Sequence, residues 1–290
     1  MEHTELAKIA DAFKIRSSAT YDICCGTIGL TDKQQITYDT LMSRKNDPNA
    51  KPLTANMLAD LAILQDKKDN PELPETAKTY CKKWLKEYLY HRRKDIKSKY
   101  LDKGNICEED GFTLMCLELN LGMVYKNTEF HSNEYMQGTD DLFVKNIVYD
   151  NKSSWDLDTF PMFEIVIPDD RYEWQLNSYA ELRGVDDAVL VYTLIDAPLE
   201  LIEREIKWLT NHNDIYKRVT EMVYTKEYFE TLRINLFPDA TFEYFIEIPA
   251  KNRVKPFKVK RDTKKIETIK NRVPMCRAYI TTLLNSLINN

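Results

Sequence analysis

Asp187–Ile195 carries AVLVYTLI, an apolar and β-branched run of the length and composition of a strand buried on both faces. Just before it, Asp169–Leu182 places Tyr172, Gln175, Leu176 and Tyr179 on one face, the period of a helix. Earlier still, Gly138–Ser154 reads GTDDLFVKNIVYDNKSS, with short β-like runs at Leu142–Val144 and Asn146–Tyr149 that suit a hairpin. A hairpin, a helix and a buried strand in this order exclude an all-helical bundle. They predict an α/β or α+β fold with helices covering a sheet.

The rest of the chain is read around that centre. Residues 1–50 read as irregular, with turn signals at Cys25-Gly26 and Asn46-Asp47-Pro48. Thr54 is placed to cap a helix through about Lys67. Pro71 and Pro74 separate it from a long amphipathic helix reaching about Lys99. Gly104 is expected to break the chain before a third helical segment, Ile106 to about Leu121. Tyr125–Phe130 and Glu134–Gln137 have β character, and Pro161 and Pro168 bracket an extended piece, Met162–Ile167. Helices are expected over about 198–235. Thr241–Ile248 and Arg253–Lys260 read as a late strand pair, and 263–287 as a closing helix interrupted at Pro274.

Composition narrows the chemistry. Four scattered histidines argue against a histidine-metal centre and a Ser-His triad. Six cysteines without a CxxC pair read as idle thiols of a reducing cytosol. No basic and apolar leader opens the chain, and no apolar run has membrane length. The net charge is −5, but it is unevenly spread: Lys251–Arg272 holds ten Lys/Arg against Asp262 and Glu267, and Arg92–Lys103 holds six against Asp95 and Asp102. Such a polarised chain has a side for phosphate, although solvated charged faces give the same pattern. Lys251, Arg253 and Lys255 alternate along one expected strand and Lys258 and Lys260 follow Pro256, so the trio and the pair would each face one way as a phosphate-tracking surface. Phe257 or Tyr244 would pack in a core or stack a base.

The hairpin carries the sharpest signal. If its strands pair, Asp141 and Asp150 come together, and Lys152 shares a face with Asp150. Two carboxylates make an oxygen-rich place for Mg²⁺, or Mn²⁺ in its stead. A lysine beside such a metal orients and helps to deprotonate an attacking water, while the metal stabilises a pentacovalent phosphate. The plain alternative is a charged hairpin facing solvent. Glu108, with Glu109 next to it, opens the third helical segment and is placed to approach from the side, or merely to complement a helix N-terminus. Gln175 and Tyr179, four apart, share a helix face and are placed to brace the lysine or bind phosphate, or simply to pack.

GNICE (104–108), GTDD (138–141), DNK (150–152) and QLNSY (175–179) together resemble the PD-(D/E)XK nuclease superfamily, in the branch of lambda-type phage exonucleases, YqaJ-like viral recombinases and RecB-type nucleases. The resemblance covers about residues 100–185. It implies a restriction-endonuclease-like core, a mixed central sheet flanked by helices. A helical N-terminal part would occupy 1–100, the nuclease core 101–195, and a helical and basic-strand extension 196–290, all in one compact unit. It implies Asp141, Asp150 and Glu108 as metal ligands, Lys152 as the catalytic lysine, and Gln175 and Tyr179 as the accessory motif. Asp140 stands where the family pattern has proline, which leaves open which aspartate serves. Lys14–Ser18 resembles a segment that holds a terminal phosphate, which nominates Arg16.

The same resemblance implies a cytoplasmic, Mg²⁺-dependent DNA exonuclease acting on duplex ends for recombination or repair. A single-strand annealing protein would be its partner, with a ring-shaped homo-oligomer among its possible assemblies and no membrane partner. No iron–sulfur cluster is expected, because only Cys276 follows the core. Two other readings remain: a structure-specific endonuclease on the same core, and a non-catalytic DNA-binding or assembly module.

Overall fold

A computed structural model describes residues 3–94, 99–236 and 245–288. The N-terminal part is helical: α1 (His3–Asp11), a two-residue strand β1 (Ile15–Arg16), α2 (Thr20–Cys24), α3 (Asp32–Asn46), α4 (Ala55–Asp69) and α5 (Glu75–Tyr90). The expectation of irregular structure over 1–50 is therefore wrong. α3 buries only Tyr38 and Leu41, so it shows no apolar stripe. Its start is set by a capping box instead: Gln34 N donates to Thr31 Oγ1, and Thr31 N donates to Gln34 Oε1. Thr54 caps α4 as expected, accepting from Met57 N. α5 stops at His91, whose φ of 51° lies in the left-handed region, short of the predicted Lys99.

Next come α6 (Lys99–Ile106) and α7 (Glu108–Glu118), with only Cys107 between them. Gly104 lies inside α6 and does not break the chain. A Cβ there would meet nothing within 4 Å, so the glycine marks no turn. The strands β2 (His131–Ser132), β3 (Met136–Gly138), β4 (Leu142–Val144) and β5 (Ile147–Ser153) follow, then α8 (Asp170–Arg183) and β6 (Asp187–Thr193). Tyr125–Phe130 and Met162–Ile167 form no strand. The chain continues through α9 (Leu199–Ile206), α10 (His212–Thr220), α11 (Lys226–Leu236), β7 (Val254–Lys260) and α12 (Thr263–Ile288). The expected partner strand Thr241–Ile248 falls partly outside the described residues, and 245–248 is not extended into a ladder. β7 pairs with β6 instead. Pro274 does not interrupt α12. It is exposed, while Ile269, Val273, Cys276, Ile280 and Leu284 form an unbroken buried stripe.

The chain gathers into two compact units that interleave along the sequence. The first comprises residues 1–15, 19–93 and 267–290. In it, Phe13 packs edge-on against Trp84 with centroids 5.0 Å apart, and Arg277 donates to the Phe13 carbonyl from Nε (3.2 Å) and Nη2 (3.1 Å). A small core of Tyr38, Leu41, Leu61 and Leu64 joins α3 to α4.

The second unit, 16–18 and 94–266, carries a four-stranded sheet in the order β4-β5-β6-β7. β4 and β5 form a hairpin closed by Lys145 and Asn146 at φ 52° and 61°, the backbone of a type I′ turn. β5 and β6 are parallel, joined through the crossover helix α8, and β7 closes the sheet antiparallel. The sheet is thus mixed, as expected. Val148, Leu190, Tyr192 and Phe257 meet Leu176 and Tyr179 of α8 on one face. Tyr149, Val189 and Val191 meet Met115 and Cys116 of α7 on the other. Covered on both faces, β6 needs an apolar residue at nearly every position, hence AVLVYT. α9–α11 surround a further core of Leu201, Ile202, Val219 and Phe229.

Candidate active site

The hairpin register decides where the acids go. Leu142 opposes Tyr149, and one step outward the same register brings Asp141 opposite Asp150. Asp141 Oδ2 accepts from the Asn151 backbone N–H at 2.8 Å, which fastens it to β5. Asp150 is buried and ion-pairs through Oδ2 with Lys152 Nζ at 2.6 Å. Beyond that ion pair, Oδ2 has no hydrogen-bond partner despite its burial. Asp150 Oδ1 accepts from Gln175 Nε2 at 3.1 Å, and the same amide reaches Tyr179 OH at 3.2 Å. Lys152 Nζ also lies 5.4 Å from the Tyr172 ring centre. Asp141, Asp150, Lys152, Gln175 and Tyr179 thus form one cluster at the edge of the β5–α8 layer.

Its electrostatics favour a cation. Burial, with the neighbouring Asp150 charge, pushes the Asp141 carboxyl up to about 6, although Lys152, the Asn151 N–H and Lys126 pull the other way. Burial lowers the Lys152 ammonium, but the Asp150 and Asp141 carboxylates outweigh it and hold the group above its ordinary range. Lys152 is therefore an ammonium here, a donor and a positive charge. Burial and Asp150 push the Tyr179 phenol up, so it too stays protonated.

Two carboxylates that repel each other's charge, one with a buried oxygen that has no hydrogen-bond partner beyond its Lys152 ion pair, fit a hard divalent ion. Asp141 and Asp150 would hold it. Among the described residues no three His, Cys, Asp or Glu side chains stand together as a metal cage. Glu108 does not join the pair. It begins α7, half exposed, with Oε1 2.5 Å from Lys126 Nζ. Glu109 beside it is exposed.

Asp140 and Asp141 part ways completely. Asp140 is buried and takes a two-pronged contact from Arg183, Nε to Oδ1 at 2.8 Å and Nη2 to Oδ2 at 3.2 Å. The Arg183 guanidinium also lies 4.8 Å from the Phe143 ring centre. Arg183 escaped the sequence reading, yet it continues the Gln175, Tyr179 spacing by four more residues along the same face of α8. The glycine that opens GTDD has a steric reason: a Cβ on Gly138 would come within 2.7 Å of Ser17 Oγ and 2.9 Å of Tyr179 Cε1. Ser17 Oγ donates to the Gln137 carbonyl at 3.1 Å and lies 2.9 Å from Ser178 Oγ. That packing brings Arg16, in β1, to the β3 and α8 side of the unit.

The basic strand is more structural than its sequence suggests. Arg253 donates to the backbone carbonyls of Ile248 (3.1 Å) and Leu194 (3.3 Å). Lys255 Nζ donates to the Met162 carbonyl at 3.3 Å. Lys260 is exposed but pairs with Asp187 at 2.5 Å, and Lys258 is exposed on the same side of β7. Phe257 is core, edge-on to Tyr192, and Tyr244 lies outside the described residues.

Lys103, counted in the first basic stretch, is buried rather than solvated. Its Nζ donates to the Trp155 carbonyl at 2.7 Å, and burial lowers its ammonium to about 8. In the folded protein it releases its proton more easily than in the unfolded chain. Wild type should therefore gain stability relative to Lys103→Met as pH rises from 8 to 10.5, by about 3 kcal/mol from the size of the shift. Thermal melts of both proteins across that window measure it; a pH-independent difference would show that Lys103 is not buried as an ammonium.

The chain matches no protein-family model and no curated protein. Its fold is similar to that of a phage-related exonuclease from Haemophilus somnus 129PT, at 22% sequence identity and a TM-score of 0.61, covering 95% of this chain and 96% of that one. It also aligns with LHK-Exo, an alkaline exonuclease from Laribacter hongkongensis, at 11% identity and a TM-score of 0.49, covering 99% and 96%. The same enzyme in complex with dAMP gives 11% identity and a TM-score of 0.48 over the same shares. The first likeness is one of fold: a mixed sheet flanked by helices, shared over nearly the whole of both chains. The expected mixed α/β fold agrees with this likeness.

Proposed function

We propose that this protein is a divalent-metal-dependent deoxyribonuclease, an exonuclease that resects duplex DNA ends. The observation that carries the reading is the convergence of Asp141, Asp150, Lys152 and Gln175 from the hairpin and α8. Mg²⁺, or Mn²⁺, bound between Asp141 and Asp150 would supply an activated water and neutralise phosphate charge. The protein's own groups do the rest. Gln175 holds Asp150 in place, and Tyr179 shares that amide. Lys152, an ammonium, orients the water and stabilises charge on the phosphate as the bond to the departing oxygen breaks. Arg16, Lys258 and Lys260 are proposed to contact DNA phosphates. Recombination or repair as the setting, an annealing partner and a ring assembly belong to this reading. No helix among the described residues is long and apolar enough to cross a membrane.

End-labelled linear duplex and covalently closed circles, each with Mg²⁺, separate this reading from a structure-specific endonuclease. Linear DNA should be degraded progressively from its ends and closed circles spared, with the 5′-phosphorylated end testing Arg16. Circles cut as fast as linear DNA would overturn the exonuclease reading.

A further inference from the structure

The chain between α7 and β2 is pinned at both ends. Leu121 N donates to the Cys116 carbonyl at 3.0 Å, and Leu121 and Val124 pack against the core that α7 shares with the sheet. Asn127 N donates to the Asp141 carbonyl at 2.7 Å, and Asn127 Nδ2 donates to the Asp140 carbonyl at 3.2 Å. Glu129 N donates to Asn127 Oδ1 at 3.0 Å and fixes that asparagine in turn. Between these anchors two large side chains turn outward: Met123 is 100% exposed and Tyr125 90%. Val124, between them, packs inward, so both are presented by backbone that is held in place.

Their position limits what they serve. Two residues of chain span at most about 7 Å, so the Tyr125 Cα lies within that distance of the Asn127 Cα, whose backbone is bonded to the turn that carries Asp141. That is about two nucleotide rises of ~3.4 Å along one DNA strand. An apolar side chain exposed singly needs no explanation, but an adjoining pair on pinned backbone beside a polar cleft is a contact surface. Lys126 follows directly, partly exposed beside Glu108, and adds a positive charge. An aromatic face next to an ammonium suits a nucleotide, whose base stacks and whose phosphate is drawn to the cation. We propose that Tyr125, with Met123 beside it, is a stacking platform for one unpaired base of the strand whose backbone lies at Asp141. This rests on the reading of that turn as the hydrolytic site, but not on its metal. A paired base inside a duplex has both faces covered, so the platform selects a strand that is single or frayed at its end and sets the register of its phosphates. Tyr125 is thus a positioning residue: it touches a base, not the bond that breaks.

The test is binding of 5′-phosphorylated single-stranded oligonucleotides to the full chain in EDTA, followed by fluorescence anisotropy, with one abasic site moved along the strand. Wild type should lose about tenfold in affinity when the abasic site falls at one position, the worth of a single base–aromatic stack, and little at its neighbours. Tyr125→Ala should bind the intact strand about tenfold more weakly and be indifferent to an abasic site at that position. Tyr125→Trp should keep the wild-type pattern. With Mg²⁺, Tyr125→Ala should raise KM for a frayed-end duplex more than it lowers kcat. The side chain is exposed, so the melting temperature of Tyr125→Ala should match wild type, which separates lost stacking from a lost fold. A wild-type abasic profile in Tyr125→Ala overturns the proposal, as does an equal loss at every position. A change in sedimentation of Tyr125→Ala with the abasic profile intact would make the pair a contact between copies of the chain, and also overturns it. Wild type that neither binds nor degrades DNA overturns the nuclease reading itself, whereas normal degradation with an unaltered Tyr125→Ala overturns the platform alone.

Discussion

Replacing Lys152 by methionine is expected to lower Mg²⁺-dependent DNA hydrolysis about a thousandfold, within the range that a positioned charge or proton-transfer group supplies. The reasoning starts from β5. Alternation along the strand puts Asp150 and Lys152 on the α8 face, and burial beside Asp150 makes the lysine a fixed ammonium, not a mobile surface cation. Methionine keeps the apolar length of the side chain and removes only the charge that lies 5.4 Å from the Tyr172 ring centre. Binding of duplex DNA in EDTA, followed by fluorescence anisotropy, should change little. Lys152→Arg is not expected to rescue the rate, because a planar guanidinium does not reproduce a compact ammonium 2.6 Å from Asp150 Oδ2. Wild-type turnover in Lys152→Met would remove the lysine from the chemistry, and a parallel loss of DNA binding would recast it as a phosphate contact.

The largest effect on stability is expected at Arg183, which holds the turn beside the proposed metal ligand Asp141. Arg183→Met leaves Asp140 buried without its partner, and breaking a buried ion pair from one side costs about 3–5 kcal/mol. The melting temperature should fall by several degrees. Asp140→Asn combined with Arg183→Met should recover most of that loss, since no buried charge is then stranded. If the double variant melts no higher than the single one, the contact does not set the turn. This contact also accounts for the departure at 140. Where the resembled pattern has proline, a rigid turn residue, this chain ties the turn down from α8, and that leaves Asp141 to face Asp150.

How much of this was legible in the sequence depended on whether the determinant was local. The buried strand, the helix before it and the approach of Asp141 to Asp150 were legible because each follows from side-chain period, although the hairpin turn proved to take two residues, Lys145 and Asn146. The helices of 1–50 were not: α3 is specified by a Thr31–Gln34 capping box and turns a polar face outward. Gly104 and Pro274 misled for the opposite reason, as both breakers sit where the backbone tolerates them, one with no close neighbour and one exposed. Arg253 read as a phosphate ligand because composition reports charge and not partners; its guanidinium serves two backbone carbonyls. Lys126 had no signal, since its meeting with Glu108 joins residues 18 positions apart across a loop. Arg183 did have one, on the same helical face as Gln175 and Tyr179.

The central claim is that Asp141 and Asp150 together hold a divalent ion that the hydrolysis requires. Electron paramagnetic resonance of Mn²⁺ counts bound ions directly, and it applies equally to wild type and to Asp141→Asn/Asp150→Asn, a double variant that preserves shape while removing both charges. The account predicts at least one tightly bound Mn²⁺ per wild-type chain, none in the variant, and DNA degradation only in the former. Equal Mn²⁺ occupancy in the two proteins, or metal-dependent degradation that survives the double substitution, would contradict it.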